Sequence, residues 1–259
     1  MLHTSPYASF LPFIEELAHL SGNIIRGYWN RGDYTVETKS DASPVTQADR
    51  ETEACLRDTI KATYPDHGIM AEEFGNENET AEYVWVLDPI DGTKSFITRV
   101  PLFGTLIGLL HQGRPVVGAI HQPITQELCI GSAAGTQLNG HTVQLRPCEQ
   151  LEHAVLLTSS FEYLLDNDKT RGWEQLVRAT QFSRTWGDCY GYLLLVTGRA
   201  DIMVDPILNP WDILPIVPII EGAGGKITAW DGSPLTQGHS AVAAHPAIHS
   251  QVIENLSII

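Results

Sequence analysis

Tyr83-Val84-Trp85-Val86-Leu87 is apolar at every position and runs straight into Asp88. A strand with one face in water alternates apolar and polar residues, so an unbroken run needs cover on both faces. The chain therefore has to build a sheet held between other layers, and it supplies the parts. Phe10, Phe13, Ile14, Leu17, Ala18, Ile24 and Ile25 recur at helical spacing and predict a helix over about residues 9–29. Thr46 to Tyr64 reads as a second helix, closed by Pro65. Ile69-Met70-Ala71 is a short strand, and Phe103 to His111 and Pro115 to Gln122 make a hairpin around Gln112-Gly113-Arg114. The second half alternates strands (Ala154–Thr158, Asp201–Val204, Lys226–Trp230, Ser240–Ala244) with helices (Arg171–Thr180, Asp188–Gly198, Trp211–Ala223, Pro246–Leu256), which again asks for covered sheets. The 259 residues suffice for one large domain or two interlocked ones. A Gly- and Ala-rich shift near residues 131–141 marks the division, giving an N-terminal half, 1–135, and a C-terminal half, 136–259.

A formal net charge of −15 repels nucleic acid and anionic membrane surfaces, so neither is expected as a partner. No run of eighteen apolar residues is present, and Met1 to Phe10 has neither a basic nor an apolar leader region, which points to the cytoplasm. Cys55, Cys129, Cys148 and Cys189 are too scattered for a zinc site or a disulfide framework and read as reduced thiols. There is no GxSxG elbow, Walker loop or GxGxxG.

The hexapeptide Asp88-Pro89-Ile90-Asp91-Gly92-Thr93 is where the chemistry concentrates. A turn around Pro89 can aim Asp88 and Asp91 at one point, and carboxylates that close raise each other's pKa unless a cation sits between them. Mg²⁺ takes such oxygen ligands together with substrate phosphate and water. Gly92-Thr93 then opens a short helix through Lys94-Ser95-Phe96, whose free N–H groups suit phosphate oxygens, with Gly92 allowing close approach. The bland alternative is a strand-to-helix turn with an Asp cap. Further carboxylates stand at the ends of other elements: Glu72 with Glu73 after the Ile-Met-Ala strand, Asp212 after Trp211 at a helix start, and Asp49 at the entry of the second helix. As helix-start residues, Asp212 and Asp49 also read as caps.

These motifs resemble the inositol monophosphatase superfamily of Mg²⁺-dependent, Li⁺-sensitive phosphatases. The matching residues are Glu72-Glu73, Asp88 to Thr93, and Trp211-Asp212 with Ala223-Gly224-Gly225, and the likeness extends from Lys39-Ser40-Asp41 to the C-terminal helix. The resemblance implies an α+β fold, a layered αβαβα sandwich of the inositol monophosphatase and sugar phosphatase type, and a homodimer. It implies two or three Mg²⁺ per site: Glu72, Asp88 and the Ile90 carbonyl around the first, and Asp88, Asp91 and Asp212 around the second. Thr93, with Asp49 as its acidic partner, takes the place that helps activate the attacking water.

Trp186-Gly187-Asp188-Cys189-Tyr190-Gly191-Tyr192, Thr197 to Pro206 and Asn209-Pro210-Trp211-Asp212 resemble the histidinol-phosphate phosphatase branch more than the inositol branch. The sparse stretch Gly131 to Gly135 departs from that branch, which often carries an aromatic loop there. The implied substrate is a small phosphorylated metabolite, L-histidinol phosphate, on the route to histidine. Inositol phosphates or a broad range of sugar phosphates are the alternatives, and a non-catalytic regulatory role is the lower one. An acidic alcohol pocket favours the substrate's ammonium; Asp188 and Asp205 are its candidate carboxylates, with a helix cap and a strand-end turn as their plainer readings. The expected chemistry is direct in-line attack of water with no phospho-enzyme. His245 and His249 read as surface residues rather than a metal pair. Trp85, Trp186 and Trp211 read as core, and Lys39 and Lys94 as phosphate-neutralising or surface cations.

Overall fold

The computed structural model describes residues 2, 5–38, 44–165, 169–235 and 239–258; Lys39-Ser40-Asp41 lies outside them. In chain order the elements are α1 (Leu11–Arg31), β1 (Val36–Thr38), β2 (Pro44–Thr46), α2 (Gln47–Thr63), β3 (Gly68–Ala71), β4 (Tyr83–Asp91), α3 (Thr93–Ile97), β5 (Gly104–His111), β6 (Arg114–Gln122), β7 (Glu127–Ser132), β8 (Gly135–Leu138) and β9 (His141–Val143). They continue with β10 (Val155–Leu157), α4 (Thr170–Ala179), β11 (Phe182–Arg184), α5 (Cys189–Val196), β12 (Ile202–Asp205), α6 (Pro210–Ile213), α7 (Val217–Gly222), β13 (Lys226–Thr228), β14 (Ala241–Ala244) and α8 (Pro246–Leu256).

Strands β3 to β9 form one sheet in sequence order, antiparallel except for the parallel β3–β4 pair. A second sheet has the order β11-β10-β12-β14-β13. Side-chain alternation explains the layering. Trp85, Leu87, Ile107, Leu109, Val117 and Ala119 point to one face of the first sheet and pack on α1 and α2 through Ile14, Leu17, Leu56 and Ile60. Val84, Val86, Leu106 and Ile120 point the other way, onto α5 to α7, and the far side of those helices meets Val155, Leu157, Met203 and Ala243 of the second sheet. Leu156, Ile202, Val204 and Val242 then face α4 and α8. The result is the αβαβα sandwich, and the apolar run of β4 is buried on both faces as expected.

Two differences from the sequence expectation matter for the site. β4 does not stop at Leu87; it continues through Asp91, with a register shift between Asp88 and Asp91 opposite β5. The single helix expected over Trp211–Ala223 is two, α6 and α7, broken around Pro215. Pro215 cannot donate a helical N–H, and its ring opposes the preceding turn. The break sits on a row of cross-strand glycines, Gly108, Gly118 and Gly131. A Cβ on Gly118 would lie 1.7 Å from the Pro215 carbonyl oxygen, and one on Gly131 would lie 2.4 Å from the Ile219 Cα. Only glycine lets the α6–α7 segment rest on the sheet backbone, and that contact sets the height of Asp212 above β4.

Smaller corrections follow from packing. Trp186 is 41% exposed, not core, because it precedes α5 on the edge beside β11. His249 is buried, not on the surface: its Nε2 lies 3.1 Å from the Thr228 hydroxyl. His245 instead starts α8, its Nδ1 accepting from the Ala247 N–H. All four cysteines are free thiols. No helix among the described residues is long and apolar enough to cross a membrane.

Candidate active site

The end of β4 carries Asp88, Pro89, Ile90 and Asp91 into Gly92, which starts α3 with φ 89°. A side chain there would also meet Asp188 Oδ2 at 2.9 Å and the Leu102 carbonyl at 3.0 Å, so glycine is required twice over. Thr105 on β5 pins the turn by donating its hydroxyl to the Pro89 carbonyl at 2.9 Å.

Three carboxylates meet at this turn. Oxygens of Asp88, Asp91 and Asp212 all lie within 4.8 Å of one another. Asp88 is buried, and its Oδ1 has no hydrogen-bond partner. Burial, then the charges of Glu72, Asp91 and Asp212, push its pKa well up. Asp91 is likewise raised by burial and by Asp188 and Asp212, although the Cys189 N–H bonds it. Asp212 rises to about 7, chiefly by burial and against the pull of the Asn209 N–H, which donates to its Oδ2 at 2.7 Å. A cluster this costly in charge and still holding an orphaned oxygen suits a hard cation with oxygen ligands. Glu72 sits in the turn after β3, outside the three-oxygen group; it lines the same cleft and its charge reaches Asp88 and Asp212.

Asp49 shows how one carboxylate serves two ends. Its Oδ2 accepts from the Thr46 N–H at 2.8 Å, closing the capping box that starts α2. Its Oδ1 accepts from the Thr93 hydroxyl at 3.5 Å, a long contact, and the same hydroxyl lies 3.1 Å from the Ile90 carbonyl. Burial raises the Asp49 pKa to about 7.

Asp188 precedes α5 but does not cap it by a side-chain hydrogen bond. Its backbone stands at φ 49°, ψ −153°, a conformation costing on the order of 1–3 kcal/mol outside glycine. Ser159 holds it there: the Asp188 N–H donates to Ser159 Oγ at 2.9 Å. Asp205, buried, anchors Ser159 in turn, taking its N–H at 2.9 Å on one oxygen and the Tyr192 hydroxyl at 2.9 Å on the other. Both Asp205 oxygens are thus engaged within the protein. Burial, then Asp205 and Asp212, raise the Asp188 pKa to about 7, with Lys94 opposing.

Around these residues runs a cleft with two lobes. One, of about 420 Å³, is lined by Glu72, Asp91, Asp188, Asp205, Asp212 and Tyr163; the other, of about 290 Å³, by Gly92, Thr93, Lys94 and Ser95 at the start of α3. Glu72 and Asp188 border both. The exposed Lys94 ammonium lies 5.7 Å from the Tyr163 ring centroid.

The sequence reading did not single out Glu53. It is fully buried, accepts the Glu73 N–H at 2.7 Å and the Phe74 N–H at 3.0 Å, and pairs with Arg57 at 3.4 Å. It therefore fixes the turn that presents Glu72. Its spacing of four from Asp49 put it on the same helix face, a signal available from sequence. Ser159 gave no comparable sign.

Known proteins share this sequence and fold. Residues 7–259 match the model of the inositol monophosphatase family. The chain is 42% identical over 253 residues to the bifunctional phosphatase IMPL2, chloroplastic, of Arabidopsis thaliana, covering 93% of this chain and 72% of that one. It is 37% identical to a histidinol-phosphatase of Chlorobaculum parvum, covering 92% and 93%. A solved inositol monophosphatase from Zymomonas mobilis superposes with a TM-score of 0.88 at 36% identity, over 98% of this chain and 100% of that one.

Proposed function

The chain belongs to the inositol monophosphatase family, and from that premise we propose that this phosphatase hydrolyses L-histidinol phosphate to L-histidinol and phosphate at the Asp88–Thr93 loop. The observation that carries the reading is the meeting of three carboxylate oxygens within 4.8 Å beside the start of α3.

The donor set fits Mg²⁺, two or three ions per site: all-oxygen ligands from Glu72, Asp88, the Ile90 carbonyl, Asp91 and Asp212, with the orphaned Asp88 Oδ1 among them. Such ions supply charge neutralisation and Lewis-acid polarisation of a phosphoryl group. The protein's own groups do the rest. Gly92 and the N–H groups opening α3 receive phosphate oxygens. The Thr93 hydroxyl lies between the Ile90 carbonyl at 3.1 Å and Asp49 Oδ1 at 3.5 Å; with its proton turned to Asp49, its oxygen would accept a proton from the attacking water as its own passes to the carboxylate. Water attacks phosphorus in line with the leaving alcohol, without a covalent phospho-enzyme.

Asp188 supports a cationic alcohol. It borders both lobes, is not part of the metal set, and is free of any capping duty. An ammonium there meets a carboxylate that neutral inositol leaves unpaired. Asp205 acts at one remove, by anchoring Ser159 under Asp188. The likeness to a histidinol-phosphatase supports the same substrate, and the likeness to an inositol monophosphatase keeps inositol phosphates as the second reading.

A phosphate-release panel tests this: histidinol phosphate, inositol 1-phosphate and sugar phosphates, with Mg²⁺ and after chelation. Preference for inositol 1-phosphate sinks the substrate assignment, and activity that survives chelation sinks the metal set. Asp88→Asn should keep the fold and lose nearly all turnover. We also propose a homodimer. Phe161, Leu165, Phe182 and Trp186 are each at least 38% exposed around the short edge strand β11, an apolar surface suited to a second copy. Sedimentation of a lone 28.5 kDa species would remove that proposal.

A further inference from the structure

Two large apolar side chains border the acidic cleft with much of their surface in water. Tyr163 is 41% exposed and Ile207 59%, and both line the lobe that holds Asp188, Asp205 and Asp212. The other apolar side chains of that lobe are already engaged. Tyr192 and Ile216 are buried, the Tyr192 hydroxyl is committed to Asp205 at 2.9 Å, and Leu208 packs on the core between the two sheets. Either exposed residue alone would be ordinary surface. Both line one concave, otherwise acidic lobe, where apolar walls are what a ligand packs against.

Each is carried by an anchored segment. Tyr163 lies in the single turn Glu162–Leu164. Leu164 is fully buried, and its carbonyl accepts the Thr170 hydroxyl at 2.6 Å. Phe161 and Leu165 border a separate groove with Trp173 and Val177 of α4, so Tyr163 is the aromatic side chain that this turn gives to the cleft. Ile207 follows Asp205, whose oxygens are fixed by Ser159 and Tyr192, and precedes Leu208, whose N–H donates to the His239 carbonyl at 3.1 Å. Tyr163 also borders the lobe of Gly92, Thr93 and Lys94, which places it where the phosphate end of the cleft joins the alcohol end.

We infer that Tyr163 and Ile207 form a subsite for a flat heteroaromatic ring on the leaving alcohol, the imidazole of histidinol phosphate, and that Tyr163 is a specificity-determining residue for it. The inference rests on the reading in which Asp188 takes that substrate's ammonium. With the phosphate at the start of α3 and the ammonium at Asp188, the ring is the part of the substrate still to be placed, and the exposed apolar pair is the part of the lobe still to be covered. A flat ring lays its faces on an aromatic ring and an aliphatic wall while its edge nitrogens keep water at the open rim. Inositol carries hydroxyls all round, and apolar side chains give them no partner.

Alaninol phosphate is the control substrate. It keeps the phosphate, the carbon chain and the ammonium of histidinol phosphate and carries hydrogen in place of the imidazole. The readout is the ratio of kcat/KM for histidinol phosphate to that for alaninol phosphate, measured on the full chain with Mg²⁺. The parent should favour histidinol phosphate by about tenfold or more, the worth of a ring stacked on an aromatic side chain. Tyr163→Ala should cut that ratio by about fivefold or more, and Tyr163→Phe, which keeps the ring, should hold it within about twofold. Ile207→Ser should lower it by about threefold or more through lost apolar contact. Thermal melts establish that each variant is folded. A parent ratio near one, a parental ratio in folded Tyr163→Ala, or an equal loss in Tyr163→Phe overturns the ring subsite and leaves the histidinol phosphate reading standing. A parent that prefers inositol 1-phosphate to histidinol phosphate overturns that reading and the subsite with it.

Discussion

Glu53→Gln is the most demanding test of how the acidic turn is held. The substitution keeps size and shape but leaves a single acceptor oxygen where Glu53 offers two, to the Glu73 N–H at 2.7 Å and the Phe74 N–H at 3.0 Å. Whichever N–H faces the new amide nitrogen is left buried beside another donor, at a cost of about 1–3 kcal/mol. The other bond loses its charge, about 1 kcal/mol more, and Arg57 loses its buried partner at 3.4 Å. Against this, Gln avoids the burial cost that raises the Glu53 pKa. Arg57 also retains the Gly75 carbonyl at 2.7 Å. The net expectation is a loss of about 2–4 kcal/mol.

At about 2–4 °C per kcal/mol for a chain of this size, the melting temperature should fall by roughly 5–15 °C. Because the same turn presents Glu72, the Mg²⁺ concentration for half-maximal phosphate release should rise by about 10- to 100-fold, the usual penalty for loosening a ligand's support. Scanning calorimetry and an Mg²⁺ titration of phosphate release read the two effects. A variant that melts within about 1 °C of the parent, or that melts lower with an unchanged Mg²⁺ response, would falsify the positioning role.

Asp188→Asn should lower kcat/KM for histidinol phosphate by about 10- to 100-fold while sparing inositol 1-phosphate, because only the cation loses a partner; equal losses on both substrates would return Asp188 to a purely structural part. Gly118→Ala forces a Cβ to within 1.7 Å of the Pro215 oxygen. It should cost about 3 kcal/mol in denaturant melts and reduce phosphate release by shifting Asp212, whereas a variant with parental stability would mean that α6 is not seated by the glycine row. Burial, with Arg26 and His19 adding to it, holds the His121 pKa near 4, below the ordinary 6.5. The neutral ring's contribution is complete above pH 6.5 and is lost as pH falls toward 4, about 3 kcal/mol in all, so His121→Gln should flatten that part of the stability profile.

What could be read from the chain was whatever is local. The unbroken apolar run of β4 announced a sheet covered on both faces, and Asp88 to Thr93 announced a strand end, a glycine of close approach and a helix start in six consecutive residues. The break at Pro215 was also legible, since a proline pair, Pro215 and Pro218, inside an apolar helical pattern is a standing objection to one continuous helix. What escaped depends on register between distant strands. Gly108, Gly118 and Gly131 look like unrelated breakers until pairing sets them in one row under Pro215 and Ile219. Ser159 is an ordinary loop serine until Asp205 and Asp188 close on it from two other segments. β7 to β9, Gly-rich and weakly alternating, draw their definition from the strand beside them.

The carboxylates show why structural and functional readings of a residue need not compete. Asp49 and Asp212 each looked like either a helix cap or a site residue. A carboxylate has two oxygens, and these two residues use one on the cap and turn toward the site as well: Asp49 through Oδ1 toward Thr93, Asp212 as a member of the three-oxygen cluster. The cap is then the device that aims the site oxygen, because fixing one oxygen by a backbone N–H fixes the other. Asp188 lacks that device and is held by its strained backbone through Ser159. A side chain aimed from its main chain alone keeps both oxygens available, which is what the proposed recognition of a substrate cation asks of it.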